Sequence, residues 1–230
     1  MFYEGNVLEA SFVHRDNRFI ARCLLRGQEV VVHVPNTGRC QELLVKGETC
    51  YLLESQNPKR KTKYSLIAIN KAGRLINLDS GAPNKLVKEA GLAGKIPFMD
   101  PASLKSEVTF GHSRLDFADK DSYFEVKGVT LERKNRAAFP DAVTERGARH
   151  IQELVRAIDL GKKAHLIFVI QMEGVDLFSP NQAMDPFFAK TLEEAMAQGL
   201  GVHAYDCKVS PGEIHLNREV PIRLGVDFYA

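Results

Sequence analysis

The chain has 230 residues, enough for one large or two small domains with a real core. Hydrophobic residues make up 44% and charged residues 26%, ordinary values for a soluble globular protein. The net charge of +2 is too small to argue by itself for a nucleic-acid or membrane partner, so any electrostatic case rests on local clusters.

The first eighty residues read as an all-β module. "NVLEASFV", "RFIARCLL", "EVVVHV", "TCYLLE" and "YSLIAI" are short β-branched or aromatic runs separated by turn chemistry. "HVPNTGRCQELL" interrupts the third and fourth runs with Pro35, Asn36 and Gly38, followed by an expected turn of helix. Five strands in that order suit a small OB-like barrel, and another five-stranded barrel suits them almost as well. After Ser80 the pattern changes. "APNKLVKEAGLAG" predicts a short helix capped by Asn84 and stopped at Gly91. Strands are expected at 107–110, 114–118 and 123–129. "TERGARHIQELVRAIDLGKK" follows as an amphipathic helix with its stripe on Ile151, Leu154, Val155 and Ile158, and with Arg146, Arg149, Glu153 and Arg156 off it. "AHLIFVI" is a continuous apolar run, as in a strand covered on both faces. "DPFFAKTLEEAMAQG" carries a cap at Asp185, Pro186 at the first helical position and a stop at Gly199. "GVHAYD" is a further strand. The second half thus reads as an α/β sandwich, and the division expected is 1–80 and 81–230.

The longest apolar run, Leu166 to Ile170, is far too short to span a membrane. "MFYEGNVLEA" lacks a basic region followed by an apolar run, so no signal peptide is expected. Cys23, Cys40, Cys50 and Cys207 have no C-x-x-C spacing and read as reduced core thiols of a cytoplasmic protein. His14, His33, His112, His165, His203 and His215 show no paired metal spacing.

The chemistry concentrates in "SRLDFADKDSYFEVKG". With Lys120-Asp121 as a two-residue turn, Phe117 faces Phe124 and Asp116 faces Glu125. Alternation then places Asp116, Glu125 and Lys127 on one face, with Leu115, Phe117, Phe124 and Val126 on the other. Two carboxylates at cross-strand distance repel unless one is protonated or a cation lies between them. A hard divalent cation such as Mg²⁺ relieves that repulsion, and Lys127 beside it suits a phosphate or a nucleophilic water. The alternative is a solvated edge with Lys127 neutralising its neighbours, and an isolated E-x-K arises by chance about once in a chain this long. Lys59, Arg60, Lys61 and Lys63 beside Tyr64 form a basic, aromatic loop suited to a nucleic-acid strand, or a solvated turn. Arg133, Lys134 and Arg136 add a second basic cluster.

The set "HVPNTGR", "RKTKY", "SRLDF", "FEVKGVTL", "FPDAVTERGARHIQEL", "LIFVIQ" and "DPFFAKTLEEA" resembles, in order and along nearly the whole chain, the sugar fermentation stimulation protein A family. The resemblance implies an N-terminal OB-like barrel followed by an α/β domain of the PD-(D/E)xK restriction-endonuclease-like fold. It implies DNA or RNA as partner, Mg²⁺ or Mn²⁺ as cofactor, and either phosphodiester hydrolysis or DNA-binding regulation of sugar metabolism. Homo-oligomerisation is compatible with it. Carried onto this chain, the nuclease pattern falls on Asp116 and on Glu125-Val126-Lys127, with Asp116 and Glu125 as metal ligands. Glu89 takes the place of the extra helical acid, and Glu107 competes for it. Arg146, Arg149 and His150 would meet phosphate, and Asn36, Thr37 and Arg39 gain significance beyond a turn, Arg39 as a nucleic-acid contact.

Overall fold

A computed structural model describes residues 1–229. Strands β1 (Val7–Arg15), β2 (Ile20–Leu25), β3 (Gln28–His33), β4 (Thr49–Glu54) and β5 (Tyr64–Lys71) pair in the order β3-β2-β1-β4-β5. A parallel pairing of Val32 with Tyr64 and His33 with Ser65 joins β3 to β5 and closes the ring. This is the five-stranded OB barrel. Its interior follows from strand alternation: Ala10 and Phe12, Ala21 and Cys23, Cys50 and Leu52 all point inward and are buried. A short β6 (Arg74–Asn77) extends β5 and was not visible in the sequence pattern. The expected helix after "PNTG" is a single turn, in which Leu43 and Leu44 donate to the Cys40 carbonyl. Cys40 sits at φ 48°, a left-handed conformation that prevents helical entry there. All four cysteines are buried and free.

The second half contains α1 (Ala82–Leu92), β7 (Lys105–Phe110), β8 (Ser113–Ala118), β9 (Ser122–Val129), β10 (Glu132–Arg133), β11 (Arg136–Phe139), α2 (Glu145–Asp159), β12 (Lys163–Ile170), β13 (Leu177–Pro180), α3 (Pro186–Ala197), β14 (Gly201–Ser210) and β15 (Glu213–Glu219). The main sheet runs β15-β14-β12-β9-β8-β7, with β9, β12 and β14 parallel and the outer strands antiparallel. β12 is central, and its apolar run serves both faces. Ile167 and Val169 pack with α1, whereas Leu166, Phe168 and Ile170 pack with α2 and α3. Continuous hydrophobicity is what two covered faces require.

The amphipathic stripe of α2 is broader than its aliphatic residues suggest. His150 and Glu153 are buried with Ile151, Leu154 and Ala157, so Glu153 belongs to the inner face. The sequence places α1 too late. Its cap is Gly81, with Pro83 in the first turn, and Asn84 lies inside the helix. Gly91 is also internal, where a β-carbon would stand 3.0 Å from Leu104 and 3.1 Å from Met99, so it serves close packing.

The two halves are joined by more than the chain. Gln171 at the end of β12 donates to the Asn77 carbonyl, to its side-chain oxygen and to the Asp79 carbonyl. Lys71 and Arg74 pair with the buried Glu132. The N-terminus crosses in the other direction: Met1 donates to the Ile214 carbonyl, and Met1 and Tyr3 pack against the α1-side core.

Asp185 holds two helix starts. One oxygen caps α3 through the Phe188 amide at 2.9 Å, and the other accepts from Thr144, itself the cap of α2, at 2.8 Å. Asp185→Ala leaves both buried N–H groups without an acceptor. It should lower stability by about 2–3 kcal/mol in urea titration, whereas a cap serving one exposed helix would cost about half as much.

Candidate active site

Sequence spacing places the β8–β9 hairpin correctly. Phe117 pairs with Phe124 and Ala118 with Tyr123. Lys120-Asp121 is a weak turn dipeptide, and the turn depends on Asp119, whose Oδ1 accepts the amides of Asp121 and Ser122. Beyond Phe117 the backbone ladder stops. In its place Asp116 Oδ2 accepts the Val126 amide at 2.8 Å, and Oδ1 accepts Asn84 Nδ2 at 2.7 Å. The strands part at Asp116 and its carboxylate fills the opening. The same distortion splits the expected apolar face: Leu115 joins the α2-side core, whereas Phe117, Phe124 and Val126 join the α1 side.

Glu125 is buried, and its Oε1 accepts from Lys127 Nζ at 2.5 Å and from His150 Nδ1. Arg146 Nε donates to His150 Nε2 at 3.3 Å, which makes Nδ1 the protonated nitrogen that faces Glu125. Glu125 Oε2 is buried and has no hydrogen-bond partner among the described residues. Burial alone would raise the Glu125 pKa, but His150 and Lys127 outweigh it and hold the carboxyl below its usual range. Asp116 goes the other way: burial first, then the charge of Glu125, push it up against the Val126 and Asn84 hydrogen bonds and the Lys127 charge. The cross-strand pairing of Asp116 with Glu125 that the spacing predicts is not made, because the ladder ends at Phe117, Asp116 turns to Asn84 of α1 and Glu125 turns to His150 of α2; the charge of Glu125 still acts on Asp116.

The remaining predicted residues divide. Glu89 does not reach the site. It lies five residues beyond Asn84, about 140° around the helix, and its carboxylate pairs with the N-terminal ammonium at 3.0 Å. Glu107 pairs instead with Arg114 on the exposed hairpin. His150 is turned inward to Glu125 and is not a surface phosphate contact. Arg146 and Arg149 are exposed on the first turns of α2. The basic loop joins β4 to β5 with Lys59 and Lys61 exposed. Arg60 is held by Ser65, and Lys63 pairs with Glu54 and sits 5.4 Å over the Tyr64 ring. Arg39 is exposed beside a cleft of about 540 Å³ between the two halves.

Asn84, which the sequence pattern marks as a cap, is instead a contributor to the site. The Pro83 signal pointed to an earlier helix start and so to Asn84 on a helical face. Among the described residues no three His, Cys, Asp or Glu side chains converge in a metal-holding group. What is present is a pair of oxygen donors, Asp116 and Glu125. A buried oxygen with no partner among the described residues, beside a carboxyl that burial and its neighbour push up, suits a hard cation completed by water and backbone oxygen.

An OB barrel joined to a three-layer mixed sheet, with a carboxylate pair and a lysine where its hairpin strands part, defines a two-domain class. The family model described as the SfsA N-terminal OB domain matches residues 13–78, and that described as the sugar fermentation stimulation protein RE domain matches 81–213. A sugar fermentation stimulation protein homolog of Clostridium novyi is 46% identical, covering 96% of this chain and 99% of the relative. One from Clostridium perfringens is also 46% identical, covering 97% and 100%. The solved structure of Pyrococcus furiosus SfsA in complex with Ca²⁺ is 26% identical, with a TM-score of 0.87, covering 97% of this chain and 98% of that one. The chain belongs to the sugar fermentation stimulation protein family.

The raised Asp116 carboxyl fixes the sign of a pH effect. Its ionised form is disfavoured by folding, so it costs stability as pH rises through and above the usual carboxylate range, and costs nothing where the group is protonated in both states. Asp116→Asn keeps an acceptor for Val126, and Asn84 can present its own oxygen to the new amide. The variant should melt above wild type at pH 8, with the gap closing below about pH 4.

Proposed function

We propose that the chain is a divalent-cation-dependent nuclease that hydrolyses phosphodiester bonds of DNA or RNA. The observation that carries this is the orphaned Oε2 of Glu125 beside the Asp116 carboxylate. Asp116 and Glu125 would hold Mg²⁺ or Mn²⁺, with the Val126 carbonyl as a further donor. The Ca²⁺ in the Pyrococcus furiosus relative supports a divalent site in this family. When bound, the cation supplies Lewis acidity toward water and the phosphate oxygens.

The chain's own residues do the rest. Val126 and Asn84 fix both oxygens of Asp116. His150, steadied by Arg146, and Lys127 take up Glu125 Oε1, which leaves Oε2 for the ligand. Lys127 is 16% exposed, so its ammonium reaches both Glu125 and solvent, and it can donate to a phosphate oxygen as negative charge develops there. Arg146 and Arg149 suit the flanking phosphates, and Lys59 and Lys61 of the barrel loop suit a longer strand. Burying a carboxylate with an unused oxygen gains nothing for a protein that only binds phosphate, which ranks the DNA-binding regulator of sugar metabolism second.

The test incubates wild type, Asp116→Asn, Glu125→Gln and Lys127→Ala with single- and double-stranded DNA and RNA in Mg²⁺ or Mn²⁺. Each variant should lose about 10²-fold or more in cleavage rate. Equal cleavage by all four would mean a contaminant and sink the proposal. Salt-sensitive binding with no cleavage would favour the regulator.

A further inference from the structure

The interdomain cleft has two unlike walls. One comes from the barrel: Asn36, Thr37, Gly38 and Arg39 of the "PNTG" loop, with Arg18 from the β1–β2 loop. The other comes from the α/β domain: Leu131, Phe139, Pro140 and Val143, leading to Thr144 at the start of α2. The floor is Gly128 to Thr130, the continuation of β9 beyond Lys127. A strand rises about 3.3 Å per residue, so this floor begins next to Lys127 and ends within about 10 Å of it.

Both walls are built, not accidental. Arg15 donates to the carbonyls of Asn36, Gly38 and Arg39, fixing the loop from below. Asn36 Oδ1 accepts the Gly38 amide, and Asp141 accepts the Arg39 amide at 3.1 Å across the domain boundary. A β-carbon on Gly38 would stand 2.6 Å from that Asp141 oxygen. The guanidinium of Arg39 stays exposed while its backbone is held, and Val143 is 69% exposed at the opposite rim. Beside Arg18, Phe19 is 53% exposed on the same barrel loop, one of the two loops with which OB barrels hold oligonucleotides.

A wall with apolar Leu131, Phe139, Pro140 and Val143, its one carboxylate Asp141 turned to the Arg39 amide, facing a wall with two arginines matches a nucleotide: base and sugar on one side, phosphate on the other. We propose that this cleft holds one unpaired nucleotide next to the scissile phosphate, so that the polynucleotide taken by the protein is single-stranded there. The inference rests on the nuclease reading for the position of the scissile phosphate. Its binding content stands separately. A paired base has its edge and stacking faces occupied and cannot lie between two walls without leaving the duplex.

The test is fluorescence anisotropy of the full chain in EDTA, with labelled single strands of DNA and RNA of about 12 nucleotides and the matching blunt DNA duplex. At least one single strand should bind about tenfold tighter than the duplex, and an abasic residue in the strand should weaken it. Val143→Asp, which sets a carboxylate at the rim, and the double variant Arg18→Ala/Arg39→Ala should each weaken single-strand binding by about tenfold. Their melting temperatures should be unchanged, because these side chains are at the surface. Duplex binding as tight as single-strand binding, or unaltered affinity in folded Val143→Asp, would overturn the proposal. Cleavage does not enter the readout, so loss of the nuclease reading and loss of this one are separate results.

Discussion

Glu125 is a carboxylate buried between a sheet and a helix, and three side chains from two elements take their present positions around its charge. Its strand supplies Lys127 two residues on, which alternation puts on the same face. Helix α2 supplies His150, and Arg146 one turn earlier completes the line. Breaking such a buried cluster by removing one partner typically costs about 3–5 kcal/mol, far more than an exposed pair. The position of α2 over β9 is therefore fixed electrostatically as well as by Ile151 and Leu154. The cluster still leaves one oxygen of Glu125 without a partner.

Asp116 is built on the opposite principle. Its hydrogen bonds come from one backbone amide and one neutral amide side chain, and among the described residues no cationic side chain pairs with it. It remains poorly compensated, pushed up by burial and by Glu125. Two neighbouring carboxyls, one neutralised by direct partners and the other only by more distant charge, thus differ in how far the fold compensates them. That imbalance is stored by the opening between β8 and β9, where a side chain replaces a backbone partner.

Much of this was legible in the sequence because it follows from alternation. The register of the hairpin, the shared face of Glu125 and Lys127, the doubly covered β12 and the Asp185–Pro186 helix start all come from periodicity or cap chemistry. What was not legible depends on packing between distant elements. No spacing rule announces that Leu115 will cross to the other core, that Glu153 is buried, or that His150 faces inward. His165 and His203, thirty-eight residues apart, meet at 3.2 Å because β12 and β14 are neighbours in parallel register. Glu89 lies about 140° around α1 from Asn84, the α1 residue that reaches Asp116, and pairs with the N-terminus instead.

The junction between the halves holds the barrel and the sandwich in one fixed relation. The "PNTG" loop is held from inside its own domain by Arg15 and from outside by Asp141, so the barrel's cationic edge cannot move independently of the loop that leads into α2. That helix carries His150. Gln171 ties the end of β12 to the segment leaving the barrel, and the same residue would lie 2.7 Å from a β-carbon at Gly128, one residue past Lys127. The cleft edge and the carboxylate pair are thus linked through two short routes, one along α2 and one along β9, so the spacing between them is set by the fold and not by a flexible linker.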